Sequence, residues 1–342
     1  MKAIHVDHFV TSPSHLTPTT IPPPPPPPPR SIRLRVTHAS ITHVDLLYAL
    51  GLHQNNRRHA TPPLTLGTEC AGVVVAAPPG SAFARGARVF GFAPGCYADE
   101  VCVDEAALRR VPPCWSGAQA CAVGPAAAVA YGALVGAGRL RRGESVVVLG
   151  ASGGLGVCAV QVARALGAGR VVGVVGEVEG EKAEVVRGLG AEVVGYKAEG
   201  WEERVVELTG GVGVDVVYDS IGAVDSSLKC VKYGGRVVVV GFAGRGGQLE
   251  SVRMNKVLLR GASVVGYRFG EQSRRYPSET EAIWDAVMQM IQKNQLQPVV
   301  YREQYHGLDE VSRAMEDVEA RRVWGRAVVT WYLLVASGNK EF

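Results

Sequence analysis

The chain has 342 residues, of which 47% are hydrophobic and 20% charged, with a formal net charge of +4. That length suggests two domains, and that composition excludes a disordered chain. The charge is mild and no basic stripe is interleaved with aromatic residues, which argues against nucleic acid as a partner.

Met1 to Val10 lacks a basic start followed by a long apolar core, and no apolar run approaches the roughly 18 residues that cross a bilayer. A cytoplasmic chain with no membrane contact is therefore expected. Ala3 to Val10 reads as an opening strand. Thr11 to Arg30 follows, with eight consecutive prolines from Pro22 to Pro29. Proline lacks the backbone N–H that helices and central strands need, so this tract is expected to be an extended polyproline II rod at the surface. It would lead to a second strand at Ile32 to Val36. Such a rod is either a low-complexity insertion or a docking site for a proline-recognising domain. The seven cysteines (Cys70, Cys96, Cys102, Cys114, Cys121, Cys158 and Cys230) are scattered without a CxxC pair. They read as small hydrophobes in a reducing compartment rather than as a disulfide framework or a zinc knuckle.

The most informative stretch runs from Glu144 to Gly167: an apolar strand, a glycine-rich turn and a helix in succession. Gly150, Gly153 and Gly156 are spaced as in a dinucleotide-binding turn, where a tight bend, close approach of a pyrophosphate and close helix packing each exclude a side chain. The phosphates would sit at the helix N-terminus, with backbone N–H groups from Gly150, Ala151, Gly153, Gly154, Leu155 and Gly156 around them. Further strands are expected at Arg170 to Val175, as a short strand ending at Tyr196, at Val214 to Tyr218, at Arg236 to Val240 and at Ala262 to Tyr267, with a helix at Glu181 to Leu189. Valine-rich strands alternating with helices imply an α/β fold with a doubly wound parallel sheet, ligand lying at the strand C-termini.

Several segments together resemble the medium-chain dehydrogenase/reductase superfamily, and within it the zinc-independent quinone oxidoreductase, or zeta-crystallin, family. They are Ile41-Thr-His-Val-Asp-Leu-Leu-Tyr-Ala-Leu-Gly51, Leu66-Gly-Thr-Glu-Cys-Ala-Gly-Val-Val-Val75, Gly86-Ala-Arg-Val-Phe-Gly91, Ala126-Ala-Ala-Val-Ala-Tyr-Gly-Ala-Leu134, Val214-Asp-Val-Val-Tyr-Asp-Ser-Ile-Gly222 and Gly234-Gly-Arg-Val-Val-Val-Val-Gly241. The resemblance implies a distorted, mostly antiparallel GroES-like barrel over residues 1–124, a Rossmann cofactor domain over 125–267, and a segment, 268–342, that completes the barrel. It also implies a homodimer joined through the strand at Ala262 to Tyr267, and a reaction in the cleft between domains.

Zinc-dependent relatives carry Cys and His where this chain has Thr42 and Thr68. Glu69 and His43 alone do not make a zinc site, so no metal is expected. For the cofactor the signals are mixed. Gly176 and Glu177 at the end of the second strand favour NADH, whereas Lys182 and Tyr196 match residues that the family sets on NADPH. The resemblance favours NADPH, although the chain is about two residues longer than its relatives before Lys182. It also implies that Ser220, Gly241, Phe242 and Tyr131 lie near the ribose and nicotinamide. Thr42, His43, Asp45 and Tyr48 are the polar candidates around the acceptor, and Asp45 is equally readable as a helix-start residue. Without a Lewis acid, hydride transfer should favour an acceptor that spreads negative charge itself, a quinone or an α,β-unsaturated carbonyl. An enoyl reductase acting on a biosynthetic or acyl intermediate, and a catalytically weak cofactor-binding protein recruited through its prolines, are the alternatives.

Overall fold

The computed structural model describes residues 1–53, 56, 60–244, 246 and 248–331. They divide into two units, one made of Met1–Gly124 and Val300–Phe342, the other of Pro125–Val299.

The first unit is a mostly antiparallel barrel. Its opening strand is not continuous over Ala3 to Val10. It is split into β1 (Lys2–Ala3), which pairs with β3 (Thr19–Thr20), and β2 (His5–Val6), which pairs with β5 (Leu64–Thr65). The division falls at Ile4, whose N–H donates to the Tyr97 carbonyl at 2.8 Å and whose carbonyl accepts from Leu66 at 3.0 Å, so successive residues serve different partners. The proline tract thus connects β3, not the opening strand, to the next strand, and no helix or strand runs through it.

That next strand, β4 (Ser31–Ile41), is longer than the expected Ile32 to Val36. Register shifts let it bend and continue, with Ile32, Leu34, Val36, Ala39 and Ile41 all facing the core. It leads into α1 (His43–Ala49) and then to β6 (Glu69–Ala76), β7 (Arg88–Phe92), β8 (Glu100–Asp104) and β9 (Leu108–Arg110). β4, β6, β7 and β9 lie in that order, and β8 also pairs with β4.

A long helix, α2 (Gly117–Gly132), is broken at Gly124 (φ 38°, ψ −149°). Pro125 follows, and the residue before a proline is driven out of the helical region. The chain passes from one unit to the other at this break. With its π-helical continuation, Gly117–Ala137 forms 21 residues that are long and apolar enough to cross a membrane by length and composition, which corrects the expectation of no such run. Most of that segment is buried inside the protein, as in a core helix.

The second unit is a Rossmann-like doubly wound domain. Its strands are β10 (Ser145–Leu149), β11 (Arg170–Val175), β12 (Glu192–Gly195), β13 (Val214–Asp219), β14 (Val231–Val239) and β15 (Ser263–Gly266). They form one fully parallel sheet in the order β12-β11-β10-β13-β14-β15. Residues 146–149 of the central strand are all fully buried, which is why the strand reads as an unbroken apolar run. The intervening helices are α3 (Gly154–Ala165), α4 (Glu181–Gly188), α5 (Trp201–Leu208), α6 (Val224–Cys230) and α7 (Met254–Arg260).

The expected return to the barrel at residue 268 is corrected to Val300. α8 (Phe269–Arg275) and α9 (Pro277–Gln292) stay with the parallel sheet. Trp284 is buried against the edge of Phe269. Just beyond α9, Gln297 exchanges two hydrogen bonds with Gln161 of α3, at 2.6 and 3.1 Å. The barrel is then completed by β16 (Tyr305–His306), α10 (Val311–Glu319) and β17 (Ala327–Thr330), with β17 antiparallel to β4 and parallel to β16.

Candidate active site

In the parallel-sheet unit the glycine turn, Ser220 and Gly176 lie at the C-terminal ends of β10, β13 and β11. Gly150 leaves β10 at φ 69°, and a Cβ on Gly156 would run into the Gly150 carbonyl oxygen. Both glycines are therefore required by the backbone. The Gly153 N–H donates to the Gly150 carbonyl at 3.0 Å, and a Cβ there would meet only that oxygen, at 3.5 Å. Ala151 is buried and donates to the Val174 carbonyl, tying the turn to β11. The 12-residue α3 has no side-chain cap at Gly153 and no acid in its first turn. The N–H groups of Gly154, Leu155 and Gly156 thus open a positive helix pole beyond the C-terminal end of β10.

Ser220 does not point outward. Its hydroxyl donates to the Leu149 carbonyl at 2.9 Å and locks β13 to β10. Asp219, which the sequence did not single out, accepts from the N–H groups of Ile221, Gly222 and Ala223 and fixes the turn after β13. Burial raises its carboxyl pKa, and those three N–H groups oppose the rise. Gly241 lies against the Ser220 carbonyl, Phe242 is partly exposed beside Gly222, and Tyr131 is half-buried on α2.

At the end of β11 the structure adds a residue to the expected pair. Lys182 is half-buried in the first turn of α4. Lys197, directly after the partly exposed Tyr196, places its ammonium 2.7 Å from Glu177. Hydrogen bonding to Lys197 lowers the Glu177 pKa, and the same contact raises that of Lys197. A Cβ on Gly176 would sit 3.8 Å from the Lys197 stem and 4.0 Å from the Tyr196 hydroxyl, so all four residues gather at one strand end.

In the barrel unit, Thr42 and Asp45 form a reciprocal capping box on α1. The Thr42 N–H and hydroxyl donate to one Asp45 carboxylate oxygen at 2.9 and 2.6 Å, and the Asp45 N–H returns a bond to the hydroxyl. Both side chains are buried, Asp45 completely. Starting the helix is a role that competes with the catalytic one expected of Thr42 and Asp45, although the second Asp45 oxygen is buried with no hydrogen-bond partner. Tyr48 remains as the half-buried candidate, its ring edge-on to His53 at 4.6 Å. Burial, helped by Arg321, lowers the pKa of His43, which leaves a neutral imidazole.

Burial pushes the Asp45 carboxyl up from 3.8 to about 6; Glu69 adds to the rise, while the hydroxyls of Thr42 and Thr68 oppose it. The folded-state value lies above the unfolded one, so the contribution to stability is complete below 3.8 and is lost as pH rises through about 6. Asp45→Asn should flatten that slope: the melting temperature of the native chain should fall relative to the variant between about pH 4 and pH 6.5. Thermal unfolding across that range checks this, and a difference that rises with pH would contradict it.

Behind the cap, Glu69 accepts from Ser40 at 3.0 Å and pairs with Arg326 at 3.3 Å, both charged side chains being almost fully covered. The Tyr97 hydroxyl donates to the Ser40 carbonyl at 3.0 Å. Burial drives the thiols of Cys96 and Cys121 well above their usual range. This donor set is a poor fit for a zinc ion: Thr42 stands where a thiolate or imidazole would be needed, one oxygen of Asp45 is held by Thr42, and Glu69 holds an arginine. Among the described residues, no group of three or more His, Cys, Asp or Glu is placed to hold a metal.

Fold and site together define an oxidoreductase with a dinucleotide-binding domain. Residues 28–194 match the alcohol dehydrogenase GroES-like domain, and residues 154–288 match the domain described as zinc-binding dehydrogenase. A quinone oxidoreductase-like protein 2 of Bos taurus is 31% identical over 87% of this chain and 84% of its own. A polyketide synthase protein for spectinabilin in Streptomyces orinoci is 36% identical over 61% of this chain but only 9% of its own length. A mycobacterial protein solved in complex with NADPH superposes with a TM-score of 0.86 at 26% identity, covering 96% of this chain and 99% of its own. The chain belongs to the quinone oxidoreductase family of the medium-chain dehydrogenase/reductase superfamily.

Proposed function

We propose that the chain is a zinc-independent, NADPH-dependent reductase that passes hydride to a quinone or an α,β-unsaturated carbonyl. The observation that carries this reading is the donor set of the barrel unit, in which Thr42 holds one oxygen of Asp45, and Ser40 and Arg326 hold Glu69, where a Lewis acid would need several open ligands together. An isolated carbonyl needs such an acid, whereas a quinone or enone delocalises the incoming charge and needs only hydrogen bonds.

Bound NADPH would supply the hydride. The open pole of α3 would hold its pyrophosphate, and Tyr196, Lys197 and Lys182 would take the adenosine 2′-phosphate, with Lys197 drawing Glu177 away from the ribose. Gly241, Phe242 and Tyr131 would border the nicotinamide, and Ser220 would act by holding the strand ends in place.

A panel of quinones, enones, enoyl thioesters and primary alcohols, read by the nicotinamide absorbance, tests the reading. Quinones or enones should be turned over fastest with NADPH. Enoyl thioesters as the best substrates would establish the enoyl reductase alternative, and NADPH binding without turnover would establish a non-catalytic protein. Oxidation of primary alcohols as the best activity would overturn zinc-independent conjugate reduction.

A second copy of the chain is the proposed partner at the sheet edge. β15 ends the sheet with Val264 exposed, beside a helix, α7, that leaves Met254, Leu258 and Leu259 more than 70% exposed. An open, apolar strand edge of this kind favours pairing with another strand. Val264→Lys should convert a dimer to a monomer by light scattering, and an unchanged mass would remove this edge as the interface.

A further inference from the structure

The proline tract plays no part in the proposed reaction, yet the fold holds it in a defined way. It is anchored before, within and after its length. Ile21 donates to the Met1 carbonyl at 3.0 Å, the Cys102 thiol approaches the Pro25 carbonyl at 3.6 Å, Ser31 donates to the Pro28 carbonyl at 2.9 Å, and Glu105 donates to the Arg30 carbonyl at 2.9 Å. The only cis peptide among the described residues is Pro62–Pro63, so the tract is trans throughout.

Its burial repeats every three residues: Ile21, Pro24 and Pro27 are half-buried, while Pro22, Pro23, Pro25, Pro26, Pro28 and Pro29 are exposed. Three residues per turn is the period of a polyproline II helix, and the burial keeps that period from Ile21 to Pro27, across a bend at Pro26 and up to a turn closed between Pro28 and Ser31. One of its three ridges therefore leans on the barrel and the other two face solvent. A groove laid along a three-sided rod touches two ridges and leaves the third outside. The barrel covers the ridge that such a groove would not need.

Arg30 ends the tract. Its φ of 66° turns the chain off the rod axis, and its side chain is exposed. Pro25, Pro28 and Arg30 thus present two ridge prolines three apart and a cation two residues beyond. Because the rod is already ordered, a partner would not have to supply the entropy of ordering it.

We propose that Pro22 to Arg30 is a docking ligand for a proline-reading domain, whose aromatic-lined groove takes the two exposed ridges and whose acidic rim takes Arg30. Binding of the full chain to purified SH3, WW and EVH1 domains, followed by titration calorimetry, tests this. At least one domain should bind the folded chain more tightly than about 300 µM. Substituting Pro25 and Pro28 by Ala, or Arg30→Glu, should weaken that complex about tenfold, while Ala at Pro24 and Pro27 should change it less than about twofold. Melting temperature and NADPH consumption of each variant show that the chain remains folded. The proposal is overturned if no domain binds the folded chain at that level, if only the isolated peptide binds, or if the body-facing and solvent-facing substitutions weaken binding equally.

Discussion

Lys197→Ala should weaken NADPH binding about tenfold or more while leaving NADH binding unchanged or slightly tighter, a specificity shift readable by fluorescence titration with both cofactors. The expectation follows from the end of β11, where Lys197 lies 2.7 Å from Glu177 and beside Tyr196. An acid in this position ordinarily accepts from a ribose hydroxyl, which favours NADH. Here the acid is already paired, and under the proposed function the cation that holds it would meet the 2′-phosphate. Removing Lys197 deletes the phosphate partner and frees Glu177 for the hydroxyls. The pair is solvent-exposed, so the effect should shrink as salt is added. Lys182→Ala is the control. A large NADPH-specific loss there with none at Lys197 would return the phosphate to α4, and equal losses of NADPH and NADH at Lys197 would contradict the assignment.

Arg326→Met should destabilise the barrel by about 3 to 5 kcal/mol, because it strands the covered carboxylate of Glu69 without its cation. For a unit of this size that corresponds to a fall of roughly 10 °C in its melting transition. The double variant Glu69→Gln/Arg326→Met should recover part of the loss, since a neutral pair no longer leaves a buried charge unmatched. A single-variant loss below about 1 kcal/mol would show that the pair behaves as a surface ion pair.

The two sites were legible in the sequence to different degrees. The parallel sheet could be read directly because its strands are buried on both faces, so β10 and β13 are apolar at nearly every position, and Gly150 and Gly156 mark the one backbone path the turn allows. The cap on α1 was also present as Thr42-x-x-Asp45, a spacing that signals a helix start and competes with any catalytic reading of those two residues. Lys197 was missed because resemblance pointed to Lys182, and the contact to Glu177 depends on where β12 ends relative to β11. Arg326 gave no local signal at all: its partner lies 257 positions earlier in the chain. The split of the opening strand was hidden for a related reason, since only the positions of Tyr97 and Leu66 decide that Ile4 changes partners.

β17 is among the last described elements of the chain, yet it lies on β4, one of the first strands of the barrel. On a ribosome, β4 would wait with one edge unpaired until nearly the whole chain had emerged, while the strands and helices of Pro125–Val299 could already assemble. A protein cut before Ala327 should therefore keep a folded nucleotide domain and lose its barrel. In the order of synthesis, the N-terminal third of this chain waits for Ala327–Thr330.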